Sequence, residues 1–283
     1  MKIIIGRKKE QELLKDAIDS GSPELIAIFG RRRVGKTYLI RKYFKDNLQF
    51  QLVGTKDANL DGQLTKFNTA LGKAAGYPKL YRVPEGWPEA FDQLSSFLTP
   101  KLVTERCVVF LDEFPWLNSQ KSGFLQAFDH WWNSWGNDQD NLVVIICGSA
   151  ASWMIENIVN NKGGLHNRIT RKIRLLPFNL KETEEFLLAN NVKMVRYQIL
   201  QIYMVMGGIP HYLKEIRKGE SADQAINRIC FTKDGLLYGE FKNLYNSLFE
   251  DATRHLSIIR VLAANNSGLT RSKIIENANL TSG

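Results

Sequence analysis

The chain has 283 residues, 44% of them hydrophobic, and 38 lysines and arginines against 29 acidic residues give it a net charge of +9. That length holds one large or two to three small domains, with enough apolar material for a core. No apolar run approaches the ~20 residues of a membrane span, and the apolar stretch at the N-terminus is too short for a secretory signal.

Residues from Gly6 to about Asp19 read as a helix, with Leu13, Leu14, Ala17 and Ile18 as its apolar stripe and Ser20-Gly21-Ser22-Pro23 as its stop. Leu25-Ile26-Ala27-Ile28-Phe29 is a short apolar run, which predicts a buried strand. It leads into Gly30-Arg31-Arg32-Arg33-Val34-Gly35-Lys36-Thr37, a complete G-x-x-x-x-G-K-[ST] phosphate-binding loop of the Walker A kind. In such a loop Gly30 and Gly35 let the backbone N–H groups of residues 31–35 curl around phosphates. Lys36 places a cation between the β- and γ-phosphates, and Thr37 offers a hydroxyl to Mg²⁺. Tyr38 opens the helix that leaves the loop and is counted with the nucleotide-binding residues, while Leu39, Ile40, Tyr43 and Phe44 form the helix's apolar face.

A strand is expected over 50–54, a helix over 61–75, an irregular Gly/Pro-punctuated stretch over 76–88, and a helix over 89–98. Cys107-Val108-Val109-Phe110-Leu111 and Leu142-Val143-Val144-Ile145-Ile146-Cys147 are continuous apolar runs, as buried parallel strands require. Between them Phe124, Phe128, Trp131, Trp132 and Trp135 recur at helical spacing. This predicts a helix packing an aromatic face on the sheet rather than a stacking platform for bases. Alternation of this kind predicts an α/β fold with a parallel sheet and right-handed crossovers.

The first of these strands ends in Asp112-Glu113, a Walker B pattern. Ligands of parallel sheets sit at the C-terminal ends of strands. Asp112 there is placed to hold Mg²⁺ beside Thr37, and Glu113 to orient and polarise an attacking water. Ser149, in Gly148-Ser149-Ala150-Ala151-Ser152, is the candidate sensor of a γ-phosphate, with a helix N-cap role for Ser149 or Ser152 as the alternative. Gly163-Gly164-Leu165-His166-Asn167-Arg168 precedes a strand-like Lys172-Ile173-Arg174-Leu175-Leu176. Arg168 is the candidate arginine finger, in cis or in trans, and Arg171 competes with it.

The three cysteines, Cys107, Cys147 and Cys230, show no metal or disulfide spacing, so free thiols in a reducing cytoplasm are expected. The four histidines are scattered and read as structural. The basic balance fits nucleic-acid contact through counterion release and equally a plain solvated surface. From Pro177 to about Glu250 helical periodicity dominates. Leu256, Ile259 and Leu262, the turn Asn265-Asn266-Ser267-Gly268, and a helix N-capped by Thr270 and carrying Ile274 and Ile275 look like the first half of a helix-turn-helix. Its recognition helix would start after Asn279-Leu280-Thr281-Ser282, so the 283 residues are expected to be part of a longer protein.

Taken together, these pieces resemble the archaeal-type ATPase family, P-loop proteins of the AAA-like STAND class found in archaea and bacteria. The resemblance rests on Gly6-Arg7-x-x-Glu10, the loop 30–37, Leu111-Asp112-Glu113-Phe114, Gly148-Ser149, Arg168, and Gly207-Gly208-Ile209-Pro210-x-Tyr212-Leu213, in the family's order along nearly the whole chain. It implies that Gly6 and Arg7 lie near the adenine and that Pro210 belongs to a helical lid over base and ribose. Asn167 departs from the glycine the family often has before the finger arginine.

The expected architecture is a P-loop core over 1–176, an all-helical lid over 177–250 and a partial winged helix over 251–283. The expected function is Mg²⁺-dependent ATP binding and slow hydrolysis as a switch, with ATP and ADP as ligands. A DNA-associated, origin-recognition-like regulator and a signalling scaffold with little turnover are the alternatives. DNA, a second copy of the chain and a client protein are the partner classes, and no membrane is among them.

Overall fold

The computed structural model describes residues 4–45, 47–77, 82–149, 151–159, 168–240, 252–265 and 267–280. The glycine-rich stretch 163–167, residues 241–250 of the expected lid, and residues 251 and 281–283 of the expected winged helix lie outside the described residues.

Five strands form one parallel sheet: β1 (Glu24–Phe29), β2 (Leu48–Val53), β3 (Cys107–Asp112), β4 (Leu142–Gly148) and β5 (Arg171–Arg174), in the spatial order β2-β3-β4-β1-β5. Every pairing is parallel. Helices precede, join and follow them: α1 (Lys8–Asp19) before β1, then α2 (Lys36–Tyr43), α3 (Leu60–Ala74), α4 (Trp87–Leu102), the short α5 (Phe114–Leu117), α6 (Phe124–Ser134) and α7 (Ala151–Met154) between strands, and α8 (Leu180–Ala189), α9 (Arg196–Met206) and α10 (Pro210–Leu213) after β5.

Residues of β1, β3 and β4 are apolar at every position but one or two because both faces of the sheet are covered. The two-residue period of a strand then sorts them. Leu25, Ala27, Val109, Leu111, Val144 and Ile146 pack with Phe67, Trp87, Phe91 and Phe128 from α3, α4 and α6. Ile26, Ile28, Val108, Phe110, Val143, Ile145 and Cys147 pack with Leu14, Ala17, Leu39 and Ile40 from α1 and α2. Each such side chain contributes about 1.5–3 kcal/mol on burial.

The aromatic residues of α6 behave as the helical spacing predicts. Phe124, Phe128 and Trp132 are fully buried, and Trp131 stacks on Phe91 with centroids 5.1 Å apart. Helix α4 is longer than the expected 89–98. Pro88 lies in its first turn, where a proline needs no N–H partner, and Pro100 falls in its last turn. Strand β5 is shorter than expected and one residue earlier. Leu175 still donates its N–H to the Phe29 carbonyl at 2.8 Å, but Leu176 is already exposed.

Contact density separates two compact units. One comprises Met1–Asn191 with Met206–Lys214, the other Val192–Val205 with Glu215–Gly283. In the first, α8 begins with a capping box. Asn179 accepts from the Glu182 N–H, and Glu182 accepts from the Asn179 N–H. In the second, Ser221 and Gln224 form another box, and Arg228 pairs with Glu220 at 2.6 Å. That unit also holds the helices Ala252–Ala263 and Arg271–Asn277. Thr270 stands at the N-cap of the latter without a side-chain cap bond, and none of the helix's residues is buried. Among the described residues, no helix is long and apolar enough to cross a membrane.

Candidate active site

The loop 30–37 joins the end of β1 to the start of α2, so its amides face the C-terminal edge of the sheet. Gly30 has φ 152°, and a Cβ there would stand 2.2 Å from the Leu175 carbonyl oxygen. Gly35 has φ 95° and caps α2 in a left-handed conformation. Both glycines are therefore required by the backbone and not only by the motif. Val34 is buried beneath the loop, and Tyr38 is exposed in the first turn of α2.

Lys36 is buried, and its Nζ donates to the carbonyls of Gly30 at 2.7 Å and Arg31 at 2.9 Å. Burial pushes the pKa of its ammonium below the ordinary lysine value, and the nearby carboxylates of Glu113 and Asp112 oppose that shift. The cation thus sits inside the loop's curl, held by the loop's own carbonyls.

Strand β3 brings the acids to the same edge. Thr37 Oγ1 donates to Asp112 Oδ2 at 2.7 Å, and Asp112 Oδ1 accepts from the Glu113 N–H at 3.0 Å. Glu113 is left-handed, with φ 46° and ψ 46°, and opens α5. This turn swings its side chain off the strand's line. Gly54 makes the turn feasible, since a Cβ at 54 would meet the Glu113 carbonyl oxygen at 2.4 Å. The Glu113 Oε2 accepts from the Ser149 hydroxyl at 2.9 Å and from the Ser149 N–H at 3.3 Å. The structure therefore brings Lys36, Thr37, Asp112, Glu113 and Ser149 together.

Arg7 is buried at the mouth of the loop, in a left-handed conformation following a left-handed Gly6. Its guanidinium donates to the carbonyls of Leu176 and Val34 and lies 4.5 Å from the Phe178 ring centroid. Desolvation lowers its pKa, and Glu10 and Glu182 counter this. Its N–H donates to Glu182 Oε1 at 2.8 Å, and a Cβ at Gly6 would fall 2.5 Å from that oxygen. Gly6, Arg7, Leu176, Pro177, Asn179 and Glu182 line part of a cleft of about 410 Å³. The other two loop arginines with aromatic partners face outward. Arg32 lies 5.7 Å from the centroid of Trp116, and Arg33 lies 5.6 Å from that of Tyr212. Arg31 is exposed. Pro210 starts α10, the helix that carries Tyr212.

Arg168 is exposed and is not brought to this cluster. Strand β5 runs parallel to β1, with Arg171 opposite Ile26, and Thr170 donates its N–H to the Leu25 carbonyl. Arg168 therefore precedes the N-terminal edge of the sheet. Gly30 lies five residues beyond Leu25 along β1, roughly 16 Å at strand spacing. Arg171 is spent elsewhere, paired with Glu24 at 3.1 Å.

Sequence reasoning missed three supports of the site. Gln63, fully buried on α3, donates to the carbonyls of Thr55 and Trp116 and so fixes the helix that follows Glu113. Its signal was a polar residue inside an apolar stripe. The tie from Glu182 to Arg7 had a readable half, the Asn-x-x-Glu capping box, but its long-range half had none. The Ser149–Glu113 bond joins two strands and had no local signal.

Known proteins are similar to this chain. The profile of a family described as an ATPase domain predominantly from Archaea matches residues 5–216. An uncharacterised protein of Methanocaldococcus jannaschii is 27% identical over 278 residues, covering 96% of this chain. The chain spans only 56% of that relative's length. An uncharacterised ATP-binding protein of the same organism is 41% identical over 44 residues, which are 16% of this chain and 75% of that protein. Among solved structures, a Walker-type ATPase of Pyrococcus abyssi matches 98% of this chain and 89% of its own, at 17% identity and a TM-score of 0.64. The ORC2 protein of Aeropyrum pernix, solved as ADPNP-ADP complexes, matches 96% of this chain and 78% of its own, at 16% identity and a TM-score of 0.63. At such identities the two structures attest the shared fold. The profile match covers well over half of the chain, which thereby belongs to the family of ATPase domains found predominantly in Archaea.

Proposed function

We propose that the chain binds ATP with Mg²⁺ at the loop 30–37 and hydrolyses it slowly, as a switch. The observation that carries this is the meeting of Lys36, the Thr37–Asp112 pair and the Ser149–Glu113 pair at one edge of a parallel sheet. Residues 31–35 present backbone amides to the phosphates, and Lys36 exchanges its two carbonyl partners for phosphate oxygens. The hydroxyl of Thr37 and the carboxylate of Asp112 are hard oxygen donors already in contact, a donor set that suits Mg²⁺. When bound there, Mg²⁺ neutralises charge on the β- and γ-phosphates. Glu113 accepts a proton from the attacking water and orients it. Ser149 holds the Glu113 carboxylate until a γ-phosphate competes for its hydroxyl. The place of Arg168 at the far edge of the sheet supports a finger that acts on a neighbouring copy's nucleotide.

Gly6 and Arg7 line the cleft that we assign to the adenine side. Residues 177–250 act as a helical lid with Pro210 near base and ribose, and 251–283 form part of a winged helix in this reading. A role for DNA as a second ligand draws on Arg254, Arg260, Arg271 and Lys273, carried by the two C-terminal helices. The deciding experiment is phosphate release from ATP with and without Mg²⁺, and with and without duplex DNA. Turnover that needs Mg²⁺ supports the reading. ATP binding without release of phosphate would favour a signalling scaffold, and DNA binding without any nucleotide response would favour the DNA-associated regulator.

A further inference from the structure

Position 33 is costly for an arginine. Its φ is 67°, a left-handed conformation that glycine adopts freely and a β-carbon resists. A β-carbon here costs backbone energy that the glycines at the loop's two other demanding positions avoid. The Arg33 side chain turns away from the loop's interior, where Lys36 sits. It lies over Tyr212, 5.6 Å from the ring centroid, and Arg33 Nη1 reaches the Tyr212 hydroxyl at 3.5 Å.

Tyr212 is itself placed with care. It is buried, and it lies in a segment of nine residues, Met206–Lys214, that packs with the first compact unit. The residues on either side in sequence, Val192–Val205 and Glu215 onward, belong to the second unit. Gly207 and Gly208 are both left-handed, and the Gly208 carbonyl accepts from the Phe178 N–H at 2.8 Å. Ile209 and Leu213 are buried. The Arg33–Tyr212 contact joins this segment to the phosphate loop.

We propose that Arg33 and Tyr212 form a positioning pair. The Arg33 side chain does not serve as a phosphate ligand, while its backbone amide stays part of the loop's cradle. The side chain holds Tyr212 against the loop, so that ordering of the loop by phosphate is passed to 206–214 and, through the chain, to the residues that flank it. The inference rests on the loop binding ATP. A single cation over a ring is a modest contact, so the pair tunes a segment rather than holding the fold together.

The test uses the full chain and three variants, Arg33→Gly, Tyr212→Phe and Tyr212→Leu. ATP affinity is measured by titration, and amide hydrogen exchange is followed in peptides covering 206–214 with and without saturating ATP. In the parent, ATP should slow exchange in this segment several-fold. Arg33→Gly keeps the backbone amide and tolerates the left-handed conformation, and once this variant is saturated with ATP the slowing should be absent. Tyr212→Leu should lose it as well, and Tyr212→Phe, which keeps the ring, should retain it. Undiminished slowing in ATP-saturated Arg33→Gly would overturn the proposal. So would undiminished slowing in Tyr212→Leu, or its absence in an ATP-bound parent. A parent that binds no ATP would instead refute the proposed function on which the inference stands.

Discussion

Replacing Lys36 with alanine separates binding from folding, because the structure assigns this residue opposite effects on the two. In the free protein Lys36 is a buried ammonium whose pKa lies below the ordinary value because of desolvation. Its charge costs stability, and the bonds to the Gly30 and Arg31 carbonyls offset that cost. A charge-assisted bond contributes about 1.5–3 kcal/mol, and a buried charge costs several kcal/mol. The two nearly cancel, so Lys36→Ala should change the stability of the free protein by no more than about 1 kcal/mol, ~2–4 °C in Tm for a domain of this size. With ATP the balance changes. Losing the same two bonds to phosphate oxygens should cost about 3–5 kcal/mol, on the order of 10²–10³-fold or more in affinity. Thermal unfolding with rising ATP reads both quantities, since a ligand at a hundred times its Kd stabilises by about 2.7 kcal/mol. The parent should shift upward with ATP and the variant should not. A variant that unfolds at the parental temperature and is still stabilised equally by ATP would refute the phosphate-binding role of the loop.

Glu113→Gln keeps the shape of the side chain and an acceptor for the Ser149 hydroxyl but removes the base, so ATP affinity should hold within a few-fold while phosphate release falls at least a hundredfold; release at the parental rate would exclude Glu113. Arg168→Ala should lower turnover more than affinity, and mixing it with Lys36→Ala protein should restore part of the activity, because an intact loop then meets an intact arginine. No recovery on mixing, together with an equal loss in Arg171→Ala, would move the role to Arg171. The second unit should show its own pH response. Arg228 holds the Glu220 carboxyl below its usual pKa, so the pair contributes stability above the ordinary glutamate range, and that stability fades as pH falls through the lowered value. Glu220→Gln should flatten this acid limb when unfolding is followed between about pH 5 and pH 2, and an unchanged limb would show that the pair contributes nothing.

Much of this protein was legible in its residues because the signals are local. The strands β1, β3 and β4 announced themselves as unbroken apolar runs, which only a sheet covered on both faces tolerates. The loop 30–37 and the acids at 112 and 113 were readable because phosphate chemistry demands fixed residue types at fixed spacing. The aromatic stripe of α6 had a core role because its period was helical. What no local pattern could show was which distant groups meet. The order β2-β3-β4-β1-β5 puts Thr37 against Asp112 and Glu113 against Ser149, and strand order follows from how helices cover the sheet, not from any one segment. The same pairing of β5 with β1 moved Arg168 away from the nucleotide edge, although its sequence surroundings suggested a finger. The arginines of the loop were legible only as members of the phosphate-binding run, with no partner assigned to their side chains. Only packing decided that Arg32 meets Trp116, that Arg33 meets Tyr212 and that Arg7 lies buried beneath Val34 and Phe178. These partners lie from a few dozen to well over a hundred residues apart in sequence, and such contacts exist only once the chain has folded.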